Sequence, residues 1–120
     1  MASTMRIPGF RGTYRDDPDA LGVYSEAAGI ARILPRAVAV PLDGDDVVTL
    51  VQWAHATGTP LVARGAGSSM AGGAIGEGLV VDLTALDTIG AVDVAARRVR
   101  VGAGALRDAV DAAARAHGLW

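Results

Sequence analysis

An α+β fold is predicted, with a βαβ unit at its front and the start of an antiparallel part behind it. Two short apolar runs, Val38-Ala39-Val40 and Leu61-Val62-Ala63, flank a helix-spaced series through residues 47–54. Residues 89–94 and 97–101 alternate as a hairpin does, with Val99 and Val101 on one face and Arg98 and Arg100 on the other. Between these parts lies the stretch Arg64 to Gly78, where glycine stands at 65, 67, 72, 73, 76 and 78 and argues against helix and strand alike.

Residues 1–36 read as an irregular N-terminal arm. Pro8, Gly9, Gly12, Pro18, Gly22, Gly29 and Pro35 punctuate it, and Tyr14, Tyr24 and Ile33-Leu34 are candidates to pin it to the domain surface. From residue 37 onward the chain reads as regular. Pro41 ends the first strand, and Asp43-Gly44-Asp45-Asp46 supplies an N-cap and negative charge for a helix start. Val47, Leu50, Val51 and Ala54 form the apolar face of that helix, which Gly58 and Pro60 end. Strand, helix and strand with short joints make the two strands parallel, expected as neighbours. Leu79-Val80-Val81-Asp82-Leu83 reads as a third strand. Leu106, Ala109, Val110 and Ala113 mark a second helix closed by Gly118. Leu119-Trp120, two apolar residues just past a helix stop, set the expectation that the domain is truncated here.

Composition removes several function classes. The 120 residues are 51% apolar and 20% charged, which is the globular range for one domain. A net charge of −2 with acids and bases interspersed offers no basic face for nucleic acid. There is no cysteine, hence no disulfide, thiolate metal site or cysteine nucleophile in this sequence. His55 and His117 each sit near the end of an expected helix, where imidazole trims the helix electrostatics, so no metal is expected. Met1-Ala2-Ser3-Thr4-Met5-Arg6 lacks the apolar run of a signal peptide, and no segment is apolar and long enough to cross a bilayer. The default location is cytoplasmic.

A glycine-rich loop between two strands brings backbone close to something. Glycine lacks a Cβ, so its N–H approaches a ligand unshielded, and successive N–H groups form a nest suited to phosphate oxygens. Ser68 and Ser69 add hydroxyl donors. Arg64 either lends its charge to that anion or pairs with a nearby Asp. The competing reading is a surface loop that binds nothing. Met70, Ala71, Ala74 and Ile75, woven through the stretch, favour a loop packed on a core. A P-loop is excluded because it needs lysine, which this sequence lacks. A Rossmann fingerprint is excluded because Met70 holds its third-glycine position and Ser68–Gly78 is too short for the crossover helix. Asp82 reads as a strand-end hydrogen bonder.

The run from Leu61 through Arg64-Gly65-Ala66-Gly67-Ser68-Ser69-Met70-Ala71-Gly72 to Leu83 resembles the pyrophosphate loop of PCMH-type FAD-binding proteins, the vanillyl-alcohol oxidase and p-cresol methylhydroxylase superfamily. Ala37-Val38-Ala39-Val40-Pro41, Asp46-Val47 and Val101-Gly102-Ala103-Gly104 fall in that family's order. Tyr24-Ser25 and Ala28-Gly29-Ile30-Ala31-Arg32-Ile33-Leu34-Pro35 are similar to the lead-in of its D-2-hydroxy-acid dehydrogenases, the glycolate oxidase, D-lactate and D-2-hydroxyglutarate types. Ala27 and Ala31 depart from the Asp and Tyr usual in that branch, and Ala66 replaces the loop's middle glycine.

The resemblance implies a partial FAD-binding PCMH-type domain over residues 37–120. It implies cofactor contacts from Arg64, Gly65, Ala66, Gly67, Ser68, Ser69, Met70, Ala71 and Gly72, with Gly76 close by, Pro41 near the adenosine end, and Gly102 and Gly104 bordering the site. Ser68, standing where covalent members carry histidine, implies noncovalent FAD. The activity implied is hydride removal from a small 2-hydroxy acid, with the substrate held by a cap domain and an iron–sulfur region present in some relatives. No residue here is a candidate catalyst, and a fragment of this kind is expected to be inactive alone. Another FAD-linked alcohol or sugar oxidase, and a non-catalytic nucleotide-binding remnant, stay open as alternatives.

Overall fold

A computed structural model describes residues 7–120; the opening segment Met1–Arg6, read above for a leader, lies outside them. The elements in chain order are β1 (Thr13–Arg15), α1 (Pro18–Tyr24), β2 (Ala37–Val40), α2 (Gly44–Thr57), β3 (Leu61–Arg64), β4 (Leu79–Asp82) and α3 (Arg107–Arg115).

The four strands form one sheet in the order β1-β2-β4-β3. β2 and β3 both run parallel to β4, with Ala39 and Ala63 each opposite Val81. The expected adjacency of β2 and β3 is therefore corrected: β4 lies between them. The apolar content explains the order. Leu79, Val80, Val81 and Asp82 are all buried, as a central parallel strand covered on both faces requires. β3 alternates exposed and half-buried residues, which suits an edge. Gly78 permits the insertion, because a Cβ there would run into the Pro60 carbonyl, the group that accepts the Leu79 N–H at 2.8 Å.

The first 36 residues depart from the irregular arm expected of them. Thr13–Arg15 pairs antiparallel with β2, and Pro18–Tyr24 is a helix whose N-cap, Asp17, accepts the Ala20 N–H. Tyr14 packs against the core and Tyr24 reaches the end of β4, so both pin the segment down. Ile33 and Leu34 do not; they are 37% and 56% exposed.

α2 forms as its signals dictate. Asp43 caps it by accepting the Asp46 N–H at 3.0 Å, and Gly58 ends it at φ 66°. The Asp46 carboxylate is buried at the third helical position and reaches back to the Leu42 N–H at 2.9 Å, a variant of the capping box. Leu50 and Ala54 face the sheet, whereas Val51, expected on that face, is 51% exposed. Leu50 packs with Ala37, Ala39, Leu79 and Val81, flanked by Trp53, Phe10 and Tyr14. Val38 and Val80 alternate onto the opposite face of the sheet and are equally buried.

The expected hairpin forms only as isolated antiparallel bridges, Ile89 with Val101 and Asp93 with Arg98, rather than as two regular strands. Asp93 caps its turn by accepting the Ala96 N–H at 3.0 Å. α3 ends in a Schellman closure. Gly118, at φ 69°, donates to the Arg115 carbonyl, and Leu119 donates to that of Ala114. No helix of the described residues is long and apolar enough to cross a membrane.

Candidate functional site

Parallel pairing puts the C-terminal ends of β2, β3 and β4 on one edge of the sheet, the edge where ligands gather in such folds. Pro41, Arg64 and Asp82 all stand there. The chain leaves β3 at Arg64 and must return to the opposite end of β4, and it does so through the glycine loop with no regular element, as expected.

Two turns shape the loop. Gly67 has φ 71° and is buried, and its carbonyl accepts the Ala28 N–H at 3.0 Å. Gly72 has φ 85° and open space where a Cβ would stand. Ser69 Oγ accepts the Gly73 N–H at 3.2 Å, bracing the turn from inside. Among the described residues, the N–H groups of Gly65 through Gly72 donate to no protein acceptor. Within the run only Gly67 is buried; the other amides are at or near the surface, open to solvent or to a ligand, and successive free N–H groups of this kind are what an anion-binding nest requires.

Facing it is a second wall. A cleft of about 480 Å³ lies between Gly65, Ala66 and Ser68 on one side and Ala103, Gly104, Ala105, Leu106, Arg107 and Asp108 on the other. Gly104 lets that wall close on the sheet. A Cβ there would strike the Leu83 carbonyl and come within 2.8 Å of Thr84 Cα. α3 begins at the cleft with Leu106 at its N-cap and no side-chain cap, so its first N–H groups are free as well.

The expected site residues separate by role. Gly65, Ala66 and Ser68 line the cleft. Ser69 serves the loop's own turn, Met70 is 79% exposed, and Ala71 and Gly72 continue the bend. Gly76 packs against Val62, where a Cβ would stand 2.7 Å from its Cγ2. Pro41 is fully buried at the end of β2. Of the two bordering glycines, Gly104 lines the cleft, and Gly102 instead lies against the Leu86 carbonyl. Leu106, Arg107 and Asp108 were not anticipated; the only signal for this wall is the Val101-Gly102-Ala103-Gly104 run that precedes them.

Arg64 answers the question left open above. It pairs with no carboxylate among the described residues. Its Nη1 donates to the Glu26 carbonyl at 2.7 Å and to that of Ala74 at 3.4 Å, and its guanidinium lies 5.1 Å from the centre of the Tyr24 ring. Asp82 accepts from the Tyr24 hydroxyl, the Thr84 N–H at 2.9 Å and Thr84 Oγ1 at 2.6 Å. Burial pushes the Asp82 carboxyl up, but the bonds from Thr84 and Tyr24, with Arg64's charge behind them, outweigh it and hold the group below its ordinary range. Burial and the Asp82 carboxylate push the Tyr24 phenol up to about 12. The strand-end reading of Asp82 is borne out. His55 and His117 are exposed, and the described residues hold no cluster of three or more metal-ligating side chains.

A diphosphate fits this construction: free amides, a serine hydroxyl, an uncapped helix start and no side chain where the loop bends closest. The fold joins its parallel strands through this loop and not through a Rossmann crossover helix, with the cleft beside it. Residues 35–120 match the FAD binding domain family, and the chain belongs to it. FAD is the cofactor of that family.

A curated D-2-hydroxyglutarate dehydrogenase from Pseudomonas putida is 36% identical over 120 residues, which cover 97% of this chain and 12% of that protein. A decaprenylphosphoryl-β-D-ribose oxidase from Mycolicibacterium smegmatis is 36% identical over 96 residues, 77% of this chain and 21% of that protein. Among solved structures, 6-hydroxy-D-nicotine oxidase from Arthrobacter nicotinovorans superposes with a TM-score of 0.77 at 24% identity, over 96% of this chain and 26% of its own. The fold is thus that of PCMH-type flavoenzymes, and the chain spans a small part of each relative.

Proposed function

We propose that this chain forms the diphosphate-holding part of the FAD site in a flavin-dependent dehydrogenase of D-2-hydroxy acids. The observation that carries the cofactor reading is the run of free amides from Gly65 to Gly72 beside the cleft. In this reading those amides and the Ser68 hydroxyl bind the diphosphate, each charge-assisted bond worth roughly 1.5–3 kcal/mol. Gly76 keeps the loop's return close to β3, and Pro41 borders the adenosine end. FAD is held noncovalently, which Ser68 supports by offering no ring nitrogen for attachment.

When bound, FAD supplies the acceptor for a hydride leaving the substrate's α-carbon. The residues of this chain bind and orient it, and Ala103–Leu106 exclude water from one side. No residue of this chain is assigned as the base that takes the hydroxyl proton or as a ligand of the substrate. The hydroxy-acid assignment is supported by likeness to the Pseudomonas putida dehydrogenase across nearly the whole chain. An alcohol or sugar oxidase is the second reading, favoured by the similarity to the decaprenylphosphoryl-β-D-ribose oxidase.

Anaerobic addition of D-2-hydroxyglutarate, D-lactate or glycolate to the purified holoprotein tests the proposal. Bleaching of the oxidised-flavin band by one of these acids, and not by carboxyl-free alcohols or sugars, is expected. Bleaching by alcohols or sugars alone would transfer the assignment to the second reading.

A further inference from the structure

The segment Tyr24–Gly29 lies upstream of the residues that match the FAD binding domain family, which begin at 35. It nevertheless touches the glycine loop at several points. The Tyr24 hydroxyl donates to Asp82 at the end of β4, and the Tyr24 ring lies against the guanidinium of Arg64. That guanidinium donates to the Glu26 carbonyl at 2.7 Å. Ala28 N–H donates to the Gly67 carbonyl at 3.0 Å, and Gly29 lies so close to the Met70 carbonyl that a Cβ would collide with it.

The segment is itself braced. Ser25 is fully buried, with Oγ donating to the Gly22 carbonyl at 2.7 Å and accepting from Arg32 Nε at 3.2 Å. Glu26 and Arg32 form an antiparallel bridge that turns residues 26–32 back on themselves. Arg64 is the common member. Its guanidinium fills the space under Gly67, where a Cβ would stand 2.6 Å from Nη2, so the loop bends over it. A long cationic side chain has several rotamers, and in the one present the guanidinium lies against Gly67. The phenyl face and two carbonyls select that rotamer, and the Tyr24–Asp82 bond fixes the phenyl face in turn.

We infer that Tyr24–Gly29 is a latch that holds the glycine loop in its cofactor-ready shape, with Tyr24 a positioning residue acting on the FAD diphosphate through Arg64 and Gly67. The inference rests on the cofactor reading proposed above. It follows that the functional FAD site begins at Tyr24, ahead of the matched domain. A loop of free amides gains affinity from being ordered beforehand, because ordering it on binding would cost entropy for each of its residues.

The test uses the holoprotein stripped of flavin and titrated with FAD, comparing wild type, Tyr24→Phe, Tyr24→Leu and Gly67→Val. Amide hydrogen exchange of each apoprotein is read over residues 26–29, 65–75 and 79–82. Tyr24→Phe keeps the ring beneath Arg64 and loses the bond to Asp82, so FAD affinity is expected to fall by about tenfold. Tyr24→Leu should lose more. Exchange should rise at Ala28, Gly73 and Ile75, whose N–H groups bond to Gly67, Ser69 and Gly72, while 79–82 stays protected.

Wild-type affinity in Tyr24→Phe, with Gly67→Val impaired, would refute the latch and leave the loop's role standing. Wild-type affinity in Gly67→Val would remove both. Faster exchange throughout the sheet would make Tyr24 merely structural and overturn the positioning role. Should Tyr24→Phe not fold, Arg64→Lys replaces it, since it keeps the charge but loses the fork. Reduced affinity supports the latch, and unchanged affinity refutes it.

Discussion

Replacing Gly67 by valine attacks the loop at its tightest point, and the structure gives the size of the effect. The residue has φ 71°, a left-handed conformation that costs an L-residue roughly 1–2 kcal/mol and a β-branched one no less. The new Cβ would stand 2.6 Å from Arg64 Nη2 and 3.0 Å from Cζ, so the guanidinium must shift. At the extreme the shift breaks the 2.7 Å bond to the Glu26 carbonyl, a charge-assisted contact worth roughly 1.5–3 kcal/mol. If nothing relaxed, the two terms would amount to about 2.5–5 kcal/mol against the loop's present shape. Relaxation returns part of this, since Arg64 can find water. A fall of at least about tenfold in FAD affinity remains, about 1.4 kcal/mol, and the top of the full sum, about 5 kcal/mol, marks an upper bound of several thousandfold. Quenching of flavin fluorescence during titration of the apoprotein measures it. The loop lies outside the cluster around Leu50 and Leu79, so the apoprotein's Tm should drop far less than an equal loss in the core would produce. Unchanged FAD affinity, or a loss fully matched by global unfolding, would refute the reasoning.

Three further perturbations probe the scaffold. Gly104→Ala places a Cβ against the Leu83 carbonyl and 2.8 Å from Thr84 Cα, backbone atoms that cannot swing aside, so overpacking should cost about 1–3 kcal/mol in urea unfolding; wild-type stability would show the wall is not held as described. Asp46→Ala removes the acceptor of the Leu42 and Arg11 N–H groups and should cost about 1–3 kcal/mol, the Arg11 ion pair adding little because the Arg11 side chain is 53% exposed; Asp46→Asn, keeping an acceptor, should recover part of it. Stability should also have two pH limbs. Asp82, held below its ordinary value of 3.8, stabilises fully above that value and loses its contribution as pH falls through the lowered one. Tyr24, raised from 10.0 to about 12, contributes fully below pH 10 and loses that contribution as pH climbs toward 12, because the unfolded phenol ionises first. Thermal melts of wild type and Tyr24→Phe across this range check it, and an alkaline limb equal in both would contradict the assignment to Tyr24.

What could be read from the sequence follows a physical division. β2, α2, β4 and the loop were legible because each carries a local signal: a β-branched run, an Asp cap with an apolar period, or glycine where no side chain can be tolerated. β1 and α1 were not. Three residues, Thr13–Arg15, carry too little pattern to declare a strand, and they become one only because the β2 edge satisfies their backbone. The strand order was hidden for the same kind of reason, since β4's claim on the centre depends on burial that only the assembled sheet defines. In the site, Gly65, Ala66 and Ser68 could be found from the loop alone. The wall at Ala103–Asp108 could not, because nothing local ties it to residues some forty positions earlier. The Tyr24–Asp82 contact spans 58 positions and joins residues that read, each by itself, as an arm anchor and a strand-end acceptor.

Arg64 connects these two kinds of information. Read alone, its place at the mouth of a glycine loop suggests either an anion ligand or an ion pair, and each choice has a defect. A guanidinium aimed straight into the cleft would compete with the amides for the same phosphate oxygens. One paired to Asp82 would have its charge cancelled next to the nest. The fold avoids both, because Thr84 and Tyr24 occupy the Asp82 carboxylate first, and Arg64 is left to neutral acceptors, the Glu26 and Ala74 carbonyls, and to the face of an aromatic ring. Such partners satisfy the guanidinium's hydrogens without removing its charge. A positive charge therefore stays beside Gly67, in a loop whose free N–H groups already present partial positive charge. On the proposed cofactor reading both contributions would favour a diphosphate, and neither requires a side chain in the cleft.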